Sequence, residues 1–272
     1  MADRNWLIAH RWLLLRRFSQ LGVLGLFLLG PWAGVWIVTG NLTSSLTLDV
    51  LPLTDPYVLL QSFVAGHAIA STALIGALIV SVTYMLVGGR MYCSWVCPIN
   101  MVTDLAQWLR DKLGIKGSSI VLNRQFRYWV FAMTLIASYI TGQLVWEFVN
   151  PVSMLHRGLI FGMGLTAGVV FAVFIFDLLI SRRGWCGHVC PVGVFYGFLG
   201  RTALLRINAN QREKCDDCME CFQICPEQQV IKPALKGAGT SWIQTAECTN
   251  CGRCIDVCDQ TVFRFQIRGI KN

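Results

Sequence analysis

Twice near its C-terminal end the chain repeats one spacing of four cysteines. "CDDCMECFQICP" places Cys215, Cys218, Cys221 and Cys225, and "CTNCGRCIDVC" places Cys248, Cys251, Cys254 and Cys258. Each run is C-x2-C-x2-C-x3-C. One loop can wrap three such closely spaced thiols around three corners of a cubane, while the fourth, on the turn that follows, reaches a second one. The spacing therefore predicts one [4Fe–4S] cluster on Cys215, Cys218, Cys221 and Cys258, and another on Cys248, Cys251, Cys254 and Cys225. A zinc site would pair two C-x2-C knuckles and leave the fourth cysteine of each run without a role. Pro226 follows the first run and Asp259 the second, a difference that leaves the ligands intact.

The pattern is that of the bacterial two-cluster ferredoxins. It predicts a small α+β 2[4Fe–4S] domain over residues 201–272. The preceding residues, 1–200, have another character. Hydrophobic residues make up 54% of the chain and charged ones 14%, against about 25% charged in an average soluble domain. Four runs carry enough apolar residues to cross a bilayer: roughly Phe18 to Thr39, a stretch within Tyr57 to Gly89, roughly Tyr128 to Val149, and roughly Gly158 to Ile180. The expected fold is thus an all-α polytopic membrane domain of four transmembrane helices with a two-fold internal repeat, followed by the ferredoxin-like domain.

Lysine and arginine orient the runs. The N-terminal arm, the central loop (Arg90, Arg110, Lys112, Lys116, Arg124, Arg127) and the tail from Ser181 together hold 22, and the two opposite loops hold only Arg157. Both termini and the ferredoxin domain are therefore expected in the cytoplasm of a multi-pass inner-membrane protein. Disulfides are disfavoured in that reducing compartment. The net charge of +8 follows from topology, so no nucleic-acid partner is implied. Arg16 and Arg17 read as an inner anchor of the first run, and no small-residue cleavage site follows it. Asp177 is expected to pair with Arg182 or Arg183.

Four cysteines are left over. "CSWVCP" supplies Cys93, Cys97 and Pro98, and "CGHVCP" supplies Cys186, Cys190 and Pro191. If helical, each pair lies one turn apart on one face, with the proline opening the next helix. The segment after Pro98 carries Val102, Leu105, Leu109 and Leu113 on one stripe, as an interfacial helix does. Three readings stand for the four thiols: a third iron–sulfur cluster, redox-active pairs, or small residues packed at a helix junction.

No C-x-x-C-H and no G-x-G-x-x-G occurs, so neither covalent haem nor a bound dinucleotide is expected. A lipid-soluble quinol fits apolar runs joined to two one-electron centres, and its oxidation needs groups that take protons. The candidates are Asp55, Gln61 and His67 in one stretch, and Trp146, Glu147, Asn150 and His156 in another. Asp55 and Asn150 each precede a proline, where a turn role explains them equally well. Glu147 is either a proton acceptor or a boundary charge facing Arg157. His67 and His156 are one candidate pair for a b-type haem.

Taken in order, "HRWLLLRRF", "GPWAGVWIVTGN", "PLTDP", "CSWVCPIN", "WEFVNPVS", "GWCGHVCPVG" and the two ferredoxin runs resemble the NapH family of membrane-bound ferredoxin-type proteins over nearly the whole chain. The resemblance implies a quinol dehydrogenase subunit that passes electrons from the quinol pool toward a periplasmic nitrate reductase. A periplasmic four-cluster ferredoxin and a membrane tetrahaem cytochrome would be its expected partners. Two rivals differ in class: a redox maturation factor for a periplasmic metalloenzyme, using the C-x3-C-P thiols, and a membrane anchor for a soluble electron carrier.

Overall fold

The computed structural model describes residues 6–115, 123–162, 164–235, 237 and 239–268; Arg4, Lys116, Lys236 and Lys271, counted above, lie outside them. The described residues pack as two compact units. One is drawn from Met1–Gln20, Tyr84–Val96 and Tyr196–Asn272, and the other from Leu21–Thr83 and Cys97–Phe195.

The first unit is organised around an antiparallel pair of strands, Leu205–Asn208 and Arg264–Ile267, with Leu205 opposite Ile267 and Asn208 opposite Arg264. Ile207, Val230, Ile231, Ile243, Val262 and Phe263 form its buried core, and Cys221 and Cys254 belong to the same cluster. Two short helices, Glu220–Ile224 and Arg253–Val257, carry those cysteines inward. The N-terminal segment joins this unit through one carboxylate. Asp256 accepts the backbone N–H groups of Trp12 at 3.2 Å and Leu13 at 3.0 Å, in the first turn of the helix Arg11–Ala33. Those donors have no partner within their own helix. A second cluster stacks Tyr92 on Tyr196 at 4.7 Å between centroids, with Tyr84 edge-on. Gly89 lies beneath it, where a Cβ would stand 1.7 Å from the Tyr196 carbonyl oxygen.

The second unit opens with a three-stranded antiparallel sheet, Val38–Gly40, Ser44–Thr47 and Leu51–Thr54, in that order. The charge pattern predicts only a loop here, although the threonines and aliphatic residues suit strands. Asn41 closes the first turn by accepting from the N–H groups of Thr43 and Ser44. The helix Pro56–Val64 then packs on Phe126–Thr141. Tyr57 makes that contact, stacking on Phe131 and sharing a 2.7 Å hydrogen bond with Thr134. Arg110, fully buried on the helix Ile99–Lys112, donates to the carbonyls of Asp177 and Leu178. That helix buries Thr103, Gln107 and Arg110 and exposes Leu105 and Trp108, with Leu113 exposed at its C-cap, so its apolar stripe faces outward.

The expectation of four transmembrane helices with a two-fold repeat is corrected here. Among the described residues one helix, Arg11–Ala33 with 23 residues, is long and apolar enough to cross a membrane. The other apolar runs are broken by the backbone. The second divides into Pro56–Val64 and Ser71–Val87, with Gly66 at φ +80° between them. The third ends at Thr141, capped by Gly142 at φ +61°. The fourth breaks at Gly162, φ +99°, and its second helix runs into a π-turn over Phe176–Ile180. A helix of 17 residues such as Ser71–Val87 reaches only about 26 Å at ~1.5 Å per residue, short of a ~30 Å hydrocarbon core. The repeat fails too. Cys93 lies on an α-helix, Met91–Trp95, of the first unit, whereas Cys186 lies in a π-turn, Trp185–Val189, of the second.

Candidate iron–sulfur sites

The loop that presents Cys215, Cys218 and Cys221 reverses direction within a few residues. Asp217 and Met219 sit at φ +58° and +60°, a conformation that costs a non-glycine residue energy and is kept where the surroundings demand it. Asp216 accepts from the Cys218 N–H at 3.3 Å. Cys258 closes the helix Arg253–Val257 and its Sγ accepts from the Val262 N–H at 3.4 Å. These four sulfurs are electrostatic neighbours. The Cys221 thiol is pushed up to about 11, first by burial and then by the negative charges that Cys258, Cys218 and Cys215 would carry.

The second loop repeats the device with Asn250 at φ +49° and Gly252 at φ +74°. At Gly252 a Cβ would collide with Trp12, 2.7 Å away. Cys225, Cys248, Cys251 and Cys254 line one pocket, walled by Ile207 and Ile243. Burial raises the Cys254 thiol well above its ordinary value, and Cys251, Cys248 and Cys225 add to the effect. Cys251 moves the other way. Burial opposes its ionisation, but Arg16 and Arg253 outweigh it and hold the thiol below its usual value.

Each set thus takes three cysteines from one run and the fourth from the other. Four thiols facing one another can ionise together only if a cation or a cationic core balances them, and an iron–sulfur cubane supplies that core. Among the described residues no three cysteine, histidine or acidic side chains converge tightly enough to hold one metal ion. A single zinc would need its sulfurs about 2.3 Å from one point, whereas a cubane spreads them over its corners.

The segment around Cys93 grips the second loop. Arg90 Nη1 donates to the Glu247 carbonyl and to Glu227 Oε1, both at 3.0 Å. Ser94 Oγ donates to the Thr249 carbonyl at 2.6 Å, and Trp95 Nε1 to the Asn250 carbonyl at 3.0 Å. Cys93 belongs to this unit; Cys97, Cys186 and Cys190 belong to the other. All four are partly buried.

The candidates for quinol chemistry have local roles. Asp55 caps the helix Pro56–Val64 by accepting from the Tyr57 N–H at 3.0 Å. Asn150 caps Pro151–Phe161 in the same way through the Val152 N–H. Its side-chain amide donates to Glu147 at 2.9 Å, so Glu147 faces Asn150. Asp177 accepts from the Trp185 N–H at 2.9 Å, while Arg183 pairs with Asp104 at 3.0 Å. His67 is exposed. His156 is buried, edge-on to Phe27, and among the described residues its Nε2 has no hydrogen-bond partner. Gln61 and Trp146, candidates from the same two stretches, meet each other. Gln61 is buried and its Oε1 accepts from the Trp146 N–H at 3.3 Å; the Trp146 ring stacks near Trp185. The buried arginines, Arg16, Arg90, Arg110 and Arg206, were missed because an arginine in sequence reads first as surface charge.

Comparison with known proteins gives two family matches. A family described as "4Fe-4S binding domain" covers residues 69–116, which include Cys93 and Cys97. One described as "4Fe-4S dicluster domain" covers residues 183–231, from just before Cys186 past Cys225. The chain is 54% identical over 269 residues to the methylamine utilization ferredoxin-type protein MauN of Methylorubrum extorquens, spanning 99% of this chain and 93% of that one. It is 47% identical to the ferredoxin-type protein NapH of Escherichia coli, spanning 98% and 93%, and 53% identical to MauN of Paracoccus denitrificans, spanning 91% and 87%. No solved structure matches.

Proposed function

Because the chain belongs to the family of NapH and MauN ferredoxin-type electron-transfer proteins with 4Fe-4S domains, we propose that it draws electrons from a membrane quinol and passes them one at a time toward a periplasmic oxidoreductase. Oxidation of a quinol to a quinone releases two electrons and two protons. The two electrons match two one-electron centres. In this reading Cys215, Cys218, Cys221 and Cys258 hold one [4Fe–4S] cluster, and Cys225, Cys248, Cys251 and Cys254 the other. The observation that carries it is the gathering of eight cysteines into two sets beside one core. The clusters supply reversible single-electron storage; the protein wraps them, excludes water from the second, and fixes charges nearby.

The apolar helix Arg11–Ala33 supports attachment to the inner membrane. Its first turn is tied to Asp256, so the N-terminal end and the cluster domain share one side, which we assign to the cytoplasm. A periplasmic four-cluster ferredoxin, a tetrahaem cytochrome and nitrate reductase are the partners in the NapH form of this proposal. The higher identity to proteins named for methylamine utilization favours a second form, in which the electron path serves methylamine oxidation. Growth of a deletion strain on nitrate and on methylamine separates the two.

The direct test is anaerobic. Reconstituted protein, alone and with its partners, is mixed with ubiquinol or menaquinol, and cluster bleaching is followed. Failure of every quinol to reduce the clusters overturns the proposal. Iron counts decide the role of Cys93, Cys97, Cys186 and Cys190. With all four changed to serine, a fall from about twelve iron to about eight marks a third cluster, and a constant value near eight marks thiol chemistry or packing.

A further inference from the structure

Arg206 is a buried cation whose acceptors, among the described residues, are all backbone carbonyls. Only 4% of it is exposed. Its guanidinium donates to the carbonyls of Gly200, Arg201, Ala203 and Thr245. Carbonyl dipoles orient a guanidinium without neutralising it, and a buried charge without a counter-charge is strongly unfavourable. Arg90 shows the usual solution in the same unit, since it faces the carboxylate of Glu227.

The missing counter-charge can be located from one shared acceptor. The Thr245 carbonyl accepts from Arg206 Nη1 at 2.9 Å and from the Cys248 N–H at 3.2 Å. Arg206 is therefore lodged on the loop that presents Cys248. Electrostatics agree: burial lowers the Arg206 pKa, and Cys248 is the neighbour that raises it.

The other set of cysteines sits in the opposite field. Asp216, Asp217, Glu220 and Asp259 are all exposed around it, and Cys218 is itself exposed. Around the second set stand Arg16, Arg90, Arg206 and Arg253, against Glu227 and Glu247. Reduction makes a cluster one unit more negative. A fixed cation in a dry setting favours that state more than a solvated one does, because water and salt screen the latter. Net charge and exposure are among the levers that set cluster potentials.

We propose that Arg206 is the resident counter-charge of the cluster on Cys225, Cys248, Cys251 and Cys254, and that it holds this cluster's reduction potential above that of the cluster on Cys215, Cys218, Cys221 and Cys258. An electron arriving at the exposed, acidic site then moves downhill to the inner one. The inference rests on the two-cluster reading above.

The test is an EPR-monitored redox titration of the full-length protein, purified anaerobically in detergent. The wild type should show two clusters of separate potential. R206Q should lower the higher potential and leave the lower one in place. The expected change is at least about tenfold in the electron-sharing equilibrium, equivalent to 59 mV for one electron. R206K, which keeps the charge, should restore most of the separation. Two wild-type clusters of equal potential overturn the proposal, and so does an R206Q protein with both potentials unmoved or both moved together. If R206Q does not assemble, the wild-type and R206K titrations decide by the same criteria. Failure of the two-cluster reading looks different: the wild type itself would hold fewer than about eight iron and give no reduced-cluster signals.

Discussion

Arg90 and Glu227 face each other at 3.0 Å with side chains only 3% and 6% exposed. The pair joins the segment before Cys93 to the residue two after Cys225. Removing one member strands the other as a buried charge, at a cost of about 3–5 kcal/mol. R90M should therefore lower the stability of the iron-loaded protein by that order and release iron at lower denaturant. R90M combined with E227Q should recover most of the loss. Guanidinium unfolding followed by cluster absorbance checks both, and an R90M protein as stable as wild type would contradict the assignment.

Gly89 permits a backbone crossing. A Cβ there would fall 1.7 Å from the Tyr196 carbonyl and 2.5 Å from the Gly200 nitrogen, and backbone atoms cannot swing aside as a side chain can. G89A should cost roughly 3 kcal/mol or more, at or beyond the upper end of ordinary overpacking. The measurement is yield of folded, iron-containing protein and its unfolding midpoint. Gly114, with nothing within 4 Å of its would-be Cβ but φ +67°, is a control in which only backbone strain acts, and G114A should cost about 1 kcal/mol.

His156 gives a pH dependence. Burial, and then Arg157, lower its pKa below the ordinary 6.5. Between the folded and unfolded values the unfolded chain binds the proton more readily, so stability rises with pH there. The contribution is present above pH 6.5 and is lost as pH falls through the folded value. Wild type should lose stability as pH falls below 6.5, and H156Q should show a flatter profile there. Thermal unfolding across that range reads the difference.

Asp256 caps a helix that begins far away in sequence. D256A removes the acceptor of two backbone N–H groups, a loss of about 0.5–2 kcal/mol by the measure of ordinary N-caps. D256N keeps one carbonyl oxygen and should lose less. The thermal midpoint of the iron-loaded protein ranks the three.

What could be read from the sequence was local. The cysteine spacings name two loops because a cubane ties residues only a few positions apart, and Pro98 and Pro191 stand where new helices begin because their geometry is fixed by the ring. The number of spans was not legible in the same way. Apolar composition says that a run avoids water, but whether it stays one helix depends on Gly66, Gly142 and Gly162, each at positive φ. Trp146 and Trp185 show the consequence. The four-span reading put them at opposite faces of a bilayer, yet their rings lie 6.3 Å apart. The buried arginines were illegible for another reason. Arg16 is wholly buried although its position beside Arg17 before an apolar run reads as a surface anchor. Its neighbours of opposite charge, Cys251 and Asp256, lie more than 230 residues away in sequence.

The contact between Asp256 and Trp12 spans 244 residues, which makes it a matter of timing as well as geometry. A ribosome adding about 5–20 residues per second needs roughly ten to fifty seconds to travel that distance. For that interval the start of the helix Arg11–Ala33 is exposed while its partner does not yet exist. The nascent chain must therefore hold its first apolar helix open, in lipid or on a chaperone, until the last cysteine loop has been made.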